Sequence, residues 1–216
     1  MQILELSHGV SPYCVGMEGN VSQKLNDQIL IKASGSKLSE LTISDIVTYD
    51  PKGNQIANFD KKGSMELGFH LGLLGYDDIY FVSHTHPINT LSILCTKYAK
   101  TFANKRIFPD QVIFNGSKSL LIDYVKPGED LWMEIKKQLD NFIYEWGIFP
   151  KLILLKNHGI ITCGKTIDER IISTQICEKA AEIFIKTLEK TKFLNKKQVY
   201  ELLNDKQEKY RLNQLK

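Results

Sequence analysis

Paired cysteines are missing from this chain: Cys14, Cys95, Cys163 and Cys177 are widely spaced, with no Cys-x-x-Cys among them. A disulfide frame and a cysteine-rich structural zinc site are therefore not expected, and reduced thiols in a cytoplasmic protein are. Long hydrophobic runs are missing too. No stretch approaches the ~18 apolar residues of a spanning helix, and Met1-Gln-Ile-Leu-Glu-Leu-Ser-His8 lacks the basic and apolar regions of a secretory signal. Net charge is small, +3. Nine basic and four acidic residues between Lys186 and Lys216 more than account for it, and a solvated helix face explains that run without a nucleic-acid partner. There is no repeat, low-complexity tract or Pro/Gly/Ser linker. A single domain over 1–216 with a helical tail at 192–216 is expected, and a hydrophobic content of 43% is ample for its core.

What is present reads as strands paired by tight turns, with helices between them. Residues 1–8 fit a short helix. Segments 21–24 and 28–33 flank Asn26-Asp27, a hairpin signal, and 46–49 and 55–59 flank Pro51-Lys-Gly-Asn54. Residues 64–74 have helical spacing with Ser64 as N-cap. A strand is expected at 79–85 and a helix at 90–99, with two short strands at 111–114 and 119–122 around Asn115-Gly116. Leu131, Ile135, Leu139 and Phe142 give 128–144 one apolar face. Strands at 152–155 and 160–162 follow, and Thr166-Ile-Asp-Glu169 opens a long helix as a capping box.

Chemistry concentrates in three histidines. His84 and His86 close an apolar run, and in an extended strand side chains two apart share a face, about 7 Å apart at Cα. His158, in Asn157-His158-Gly159, follows another apolar run. Three neutral imidazoles with one open position form a common catalytic zinc arrangement, though such a set also suits other first-row ions. Glu66 is the candidate acid/base. His70, four residues on, is placed in the core or behind the site, and His8 on the surface. Glu18-Gly19-Asn20-Val21-Ser22 and Ala33-Ser34-Gly35-Ser36 join glycine to small donors and could cradle an anion with Ser64; taken alone, ordinary turns account for both.

In their order along the chain, Gly19-Asn20-Val21-Ser22, Ala33-Ser34-Gly35, Ser64-Met65-Glu66 with His70, His84-Thr85-His86 and Asn157-His158-Gly159 resemble the class II aldolase/adducin family over about Gly16 to Leu188. The resemblance implies a three-layer α/β/α sandwich with a central, mainly antiparallel sheet, and a homotetramer with sites at subunit interfaces. It implies that His84, His86 and His158 hold Zn²⁺, that Glu66 is the catalytic acid/base, and that Asn20, Ser34, Gly35 and Ser64 bind the phosphate of a sugar-phosphate substrate. The activity implied is reversible retro-aldol cleavage of a ketose 1-phosphate. A 4-epimerase, dehydratase or decarboxylase would share the same metal triad, and a non-catalytic module like adducin would be expected to lose it. Phe108-Pro-Asp-Gln-Val112 and Tyr124-Val-Lys-Pro-Gly128 look closer to the rhamnulose-phosphate aldolase branch than to the fuculose branch. Met65 stands where the aldolases carry a second small hydroxyl residue. The tyrosine that those enzymes lend from a neighbouring subunit has no motif match in Tyr98, Tyr200 or Tyr210.

Overall fold

The structure is a computed structural model that describes residues 1–215, and of Glu189 only the backbone. Among these residues the strands are β1 (Asn20–Leu25), β2 (Gln28–Lys32), β3 (Ile46–Tyr49), β4 (Gln55–Ala57), β5 (Phe81–Thr85), β6 (Leu120–Ile122), β7 (Leu152–Leu155) and β8 (Gly159–Gly164). They form one sheet in the order β4-β3-β2-β1-β5-β8-β7-β6, antiparallel throughout except for the β6/β7 pair. The helices are α1 (Gln2–Val10), α2 (Leu67–Leu74), α3 (Ile88–Leu94), α4 (Ala99–Asn104), α5 (Pro109–Asn115), α6 (Glu129–Trp146), α7 (Ile167–Thr187), α8 (Lys196–Asn204) and α9 (Lys206–Leu212).

The two-residue period of the strands builds the layers. In β7, Ile153 and Leu155 join Phe69 and Leu73 of α2 and Leu131, Ile135 and Leu139 of α6 in one core, while Leu152 and Leu154 join Cys177, Ala181 and Phe184 of α7 in another. A third cluster seats Ile3, Leu6 and Val10 of α1 on Val21, Leu30 and Phe81. The sheet thus lies between helical layers, the α/β/α arrangement expected, and the four apolar positions foreseen in α6 are all buried. No helix is long and apolar enough to cross a membrane among the described residues.

Three expectations are corrected. Residues 111–114 are helical, not a strand. Pro109 sits in the first turn of α5, where its missing N–H costs nothing, and Gly116 (φ +76°) follows the last turn, so Asn115-Gly116 ends a helix rather than turning a hairpin. The helix expected over 90–99 is two, α3 and α4, parted by a turn at Cys95–Tyr98. Ser64 is not the N-cap of α2, which starts at Leu67 with Glu66 in the cap position. The Ser64 hydroxyl instead accepts from Glu66 N (3.2 Å) and its carbonyl from Leu67 N (3.1 Å), a turn that precedes the helix.

Candidate metal and substrate site

His84 is carried by β5, central in the sheet, opposite Asn20 of β1 on one side and Ile161 of β8 on the other. His86 follows directly. His158 is the last residue of the three-residue turn, Lys156 to His158, between β7 and β8, and Asn157 at its middle takes the left-handed region at φ +55°. Residues more than 70 apart in sequence are thereby brought together. Ring centroids lie 4.7 Å apart for His84–His86 and His84–His158 and 5.3 Å for His86–His158, and one ligand atom from each ring falls within 4.8 Å of the other two.

For His84 and His86 the second nitrogens explain the orientation. His84 Nδ1 lies 2.9 Å from Ile160 O, an atom that can only accept, so Nδ1 carries the hydrogen and Nε2 is bare, 3.0 Å from His86 Nε2. His86 Nδ1 is 3.5 Å from the Glu18 carboxylate. Glu18 therefore stands behind a candidate ligand, a role that sequence reasoning missed: there Glu18 only opens the Glu18-Gly19-Asn20-Val21-Ser22 segment. Burial, with His86 close by, pushes the His84 pKa down to about 3, and burial with His84 nearby lowers His158 to about 4 against the pull of Glu66. Both rings are neutral, and so able to coordinate, at neutral pH.

Glu66 faces the same point. Its Oε2 is 3.4 Å from His84 Nε2 and its Oε1 3.4 Å from His158 Nε2. Oε2 accepts from Asn20 Nδ2 at 2.8 Å, whereas Oε1, though buried, has no hydrogen-bond partner among the described residues. A buried carboxylate oxygen with no donor, where one nitrogen from each of three imidazoles converges, is the environment that a divalent cation satisfies, so the donor set fits the metal that the fold implies. Gly159 makes the approach of β8 possible: a Cβ there would sit 2.5 Å from Thr85 O and 2.6 Å from His86 Cδ2.

A cavity of about 210 Å³ opens beside these groups and is lined by Asn20, Ser34, Gly35, Ser64, Glu66, His86 and His158. All four residues named for phosphate thus border one space, together with Met17 and exposed Met65. Lys32, the last residue of β2, lines it as well while only 3% exposed. Burial lowers its pKa, opposed by Cys14, Asp45 and Glu66. This is the second residue missed; in the sequence it is one more lysine on an alternating strand. Both N–H groups of the Asn20 amide are directed within the site, to Glu66 and, at 3.1 Å, to Ser64 Oγ. A larger cavity of about 670 Å³, between Arg106, Trp146 and α8, contains none of the anticipated residues.

The backbone beyond His86 is fixed from α7. Pro87 cannot cap α3 with its side chain; instead Glu178 Oε1 accepts from Asn89 N and Nδ2 (both 2.9 Å) and Oε2 from Thr90 N (2.9 Å) and Oγ1 (2.8 Å). Replacing Glu178 with alanine removes a cap and should cost about 1–2 kcal/mol. Urea unfolding should show the loss, and hydrogen exchange should show it concentrated at Asn89 and Thr90; unchanged protection at those two amides would refute it.

An antiparallel sheet between helical layers, with three imidazoles and a buried carboxylate converging at strand ends, defines a known class. The family model described as "Class II Aldolase and Adducin N-terminal domain" matches residues 9–185, and the chain belongs to that family. The L-fuculose phosphate aldolase of Methanococcus maripaludis is 32% identical over 172 residues, 79% of this chain and 86% of that protein. The 3-oxo-tetronate 4-phosphate decarboxylase of Escherichia coli K12 is 25% identical over 173 residues, 79% and 77% of the two chains. A solved L-fuculose 1-phosphate aldolase superimposes with a TM-score of 0.77 at 19% identity, covering 97% of this chain and 94% of its own, which shows the shared fold.

Proposed function

We propose that this chain is a zinc-dependent lyase that reversibly cleaves a ketose 1-phosphate into a dihydroxyacetone-phosphate-like fragment and an aldehyde. One observation carries the reading: the unpartnered Oε1 of Glu66, buried where three imidazoles converge. His84, His86 and His158 would hold the ion, which when bound supplies Lewis-acid stabilisation of negative charge developing on substrate oxygen.

The protein's own groups would do the rest. Lys32 would present an ammonium to the phosphate, with the hydroxyls of Ser34 and Ser64 and the open backbone at Gly35 (φ +84°) as neutral donors. Met65 removes one small donor from the family pattern, and Lys32 supplies charge to the same cavity. Glu66, held by Asn20, would carry the proton that the carbon loses or gains when the carbon–carbon bond breaks or forms. Asn20 of β1 and Lys32 of β2, both in the cavity wall, would keep these groups in register.

The decarboxylase relative favours a second reading, loss of CO₂ from a phosphorylated sugar acid by the same site. Mass analysis after incubation of the zinc-loaded protein with L-fuculose 1-phosphate and with a 3-oxo-tetronate 4-phosphate separates the two. Two carbonyl fragments from the first substrate support the aldolase reading, and release of CO₂ from the second alone replaces it. Lys32→Met should raise KM for a phosphorylated substrate by about tenfold or more, the loss of one charge-assisted hydrogen bond, with kcat less affected. Equal KM values in the two proteins would remove Lys32 from phosphate binding. Assembly into a homotetramer is proposed on the same family grounds, and the mass in solution tests it.

A further inference from the structure

His70 is fully buried on α2, its ring stacked on Phe69 with centroids 4.6 Å apart. It does not line the cavity, yet both its nitrogens are committed. Nδ1 lies 2.6 Å from Ser22 Oγ, and Nε2 is hydrogen-bonded to Asn20 Oδ1. Asn20 in turn donates from Nδ2 to Glu66 Oε2 at 2.8 Å and to Ser64 Oγ at 3.1 Å. Ser22, His70, Asn20 and Glu66 thus form one buried chain.

Donor and acceptor counting fixes every proton along it. An ionised carboxylate only accepts, so the Asn20 atom facing Glu66 is the amide nitrogen. The Asn20 oxygen then faces His70 and also only accepts, so Nε2 of His70 bears the hydrogen. With one hydrogen on the ring, Nδ1 is bare and takes the hydroxyl hydrogen of Ser22. A second ring proton is disfavoured, because burial, with His84 nearby, holds the His70 pKa well below its ordinary value. Were Asn20 turned over, its carbonyl oxygen would confront the buried Glu66 carboxylate, and Oε2 would lose its donor as Oε1 already has.

We propose that His70 is a positioning residue: as the Nε2–H tautomer, backed by Ser22, it fixes which way round the Asn20 carboxamide sits, and so holds the Glu66 carboxylate with Oε1 turned to the metal position. The kinetic part of this inference rests on Glu66 acting as the proton carrier; the orientational part does not.

Nitrogen-edited NMR of the zinc-loaded protein reads the tautomer directly. A bare Nδ1 and a protonated Nε2 on His70 are expected, with the Asn20 amide hydrogens protected from exchange. Two variants separate orientation from packing. His70→Phe keeps a ring against Phe69 but has no donor, whereas His70→Gln keeps a donor but loses the ring. Protected Asn20 amide hydrogens in His70→Gln and their loss in His70→Phe support the proposal. With L-fuculose 1-phosphate as substrate, kcat in His70→Phe should fall by about 100-fold at nearly constant KM and full zinc content, the size of effect that a displaced catalytic group produces, and His70→Gln should recover most of it. The reverse order, phenylalanine tolerated and glutamine not, would mean that His70 merely packs. An Nδ1–H tautomer in the unmodified protein overturns the proposal outright. If the unmodified protein turns over no sugar phosphate, the kinetic reading fails while the tautomer and amide protection still decide the orientation.

Discussion

Replacing Glu66 with glutamine should leave the zinc bound and lower the turnover of a ketose phosphate by about 10²–10⁴-fold, the usual contribution of a positioned acid/base group. The glutamine amide is nearly isosteric, and its oxygen can still accept from Asn20 Nδ2, so the local structure has no reason to move. What disappears is a group able to take up and release a proton. Folding should not suffer: the substitution removes a buried charge whose Oε1 has no hydrogen-bond partner among the described residues, so the thermal midpoint of protein stripped of metal with a chelator should hold or rise. Metal content by mass spectrometry, steady-state rates and a thermal scan check the three parts. A variant with near-wild-type turnover would remove Glu66 from the chemistry.

Gly159→Ala should do the opposite, harming the metal site with every ligand still in place. The added methyl group would meet the Thr85 carbonyl, part of the β5–β8 pairing at Thr85↔Ile160, and the edge of the His86 ring. A backbone carbonyl held between two strands cannot swing aside as a flexible side chain can. Overpacking of this kind costs about 1–3 kcal/mol. Because the clash lies between β8 and the His84–His86 segment, zinc affinity should fall by at least tenfold, a shift of about 1.4 kcal/mol. Competition with a coloured chelator measures it. Unaltered affinity would mean that the strands part without disturbing the rings.

Much of this was legible in the chain before folding. The alternation in β5 put His84 and His86 side by side, the apolar run of β7 announced the strand before His158, and the amphipathic stripe of α6 declared its buried face. Other features depend on tertiary neighbours that no local pattern reports. Lys32 reads as an ordinary strand lysine until β2 lands beside the loop at Ser64. Glu18 opens a glycine segment and Glu178 is one acid of a long helix, and neither has a role in the sequence until it meets His86 Nδ1 or the bare start of α3. The segment around Asn115-Gly116 went wrong for a different reason: Asn-Gly serves hairpins and helix ends alike, and Pro109, six residues upstream, was the sign that decided it.

The position of β8 carries a consequence for how the protein is made. This strand is wedged between β5 and β7, and the turn leading into it holds His158. A ribosome must therefore release most of the chain before the sheet can close, and until then His84 and His86 wait as an incomplete pair. A cation held by all three rings would in this way be captured late in biosynthesis, with insertion of the strand that seals the middle of the sheet.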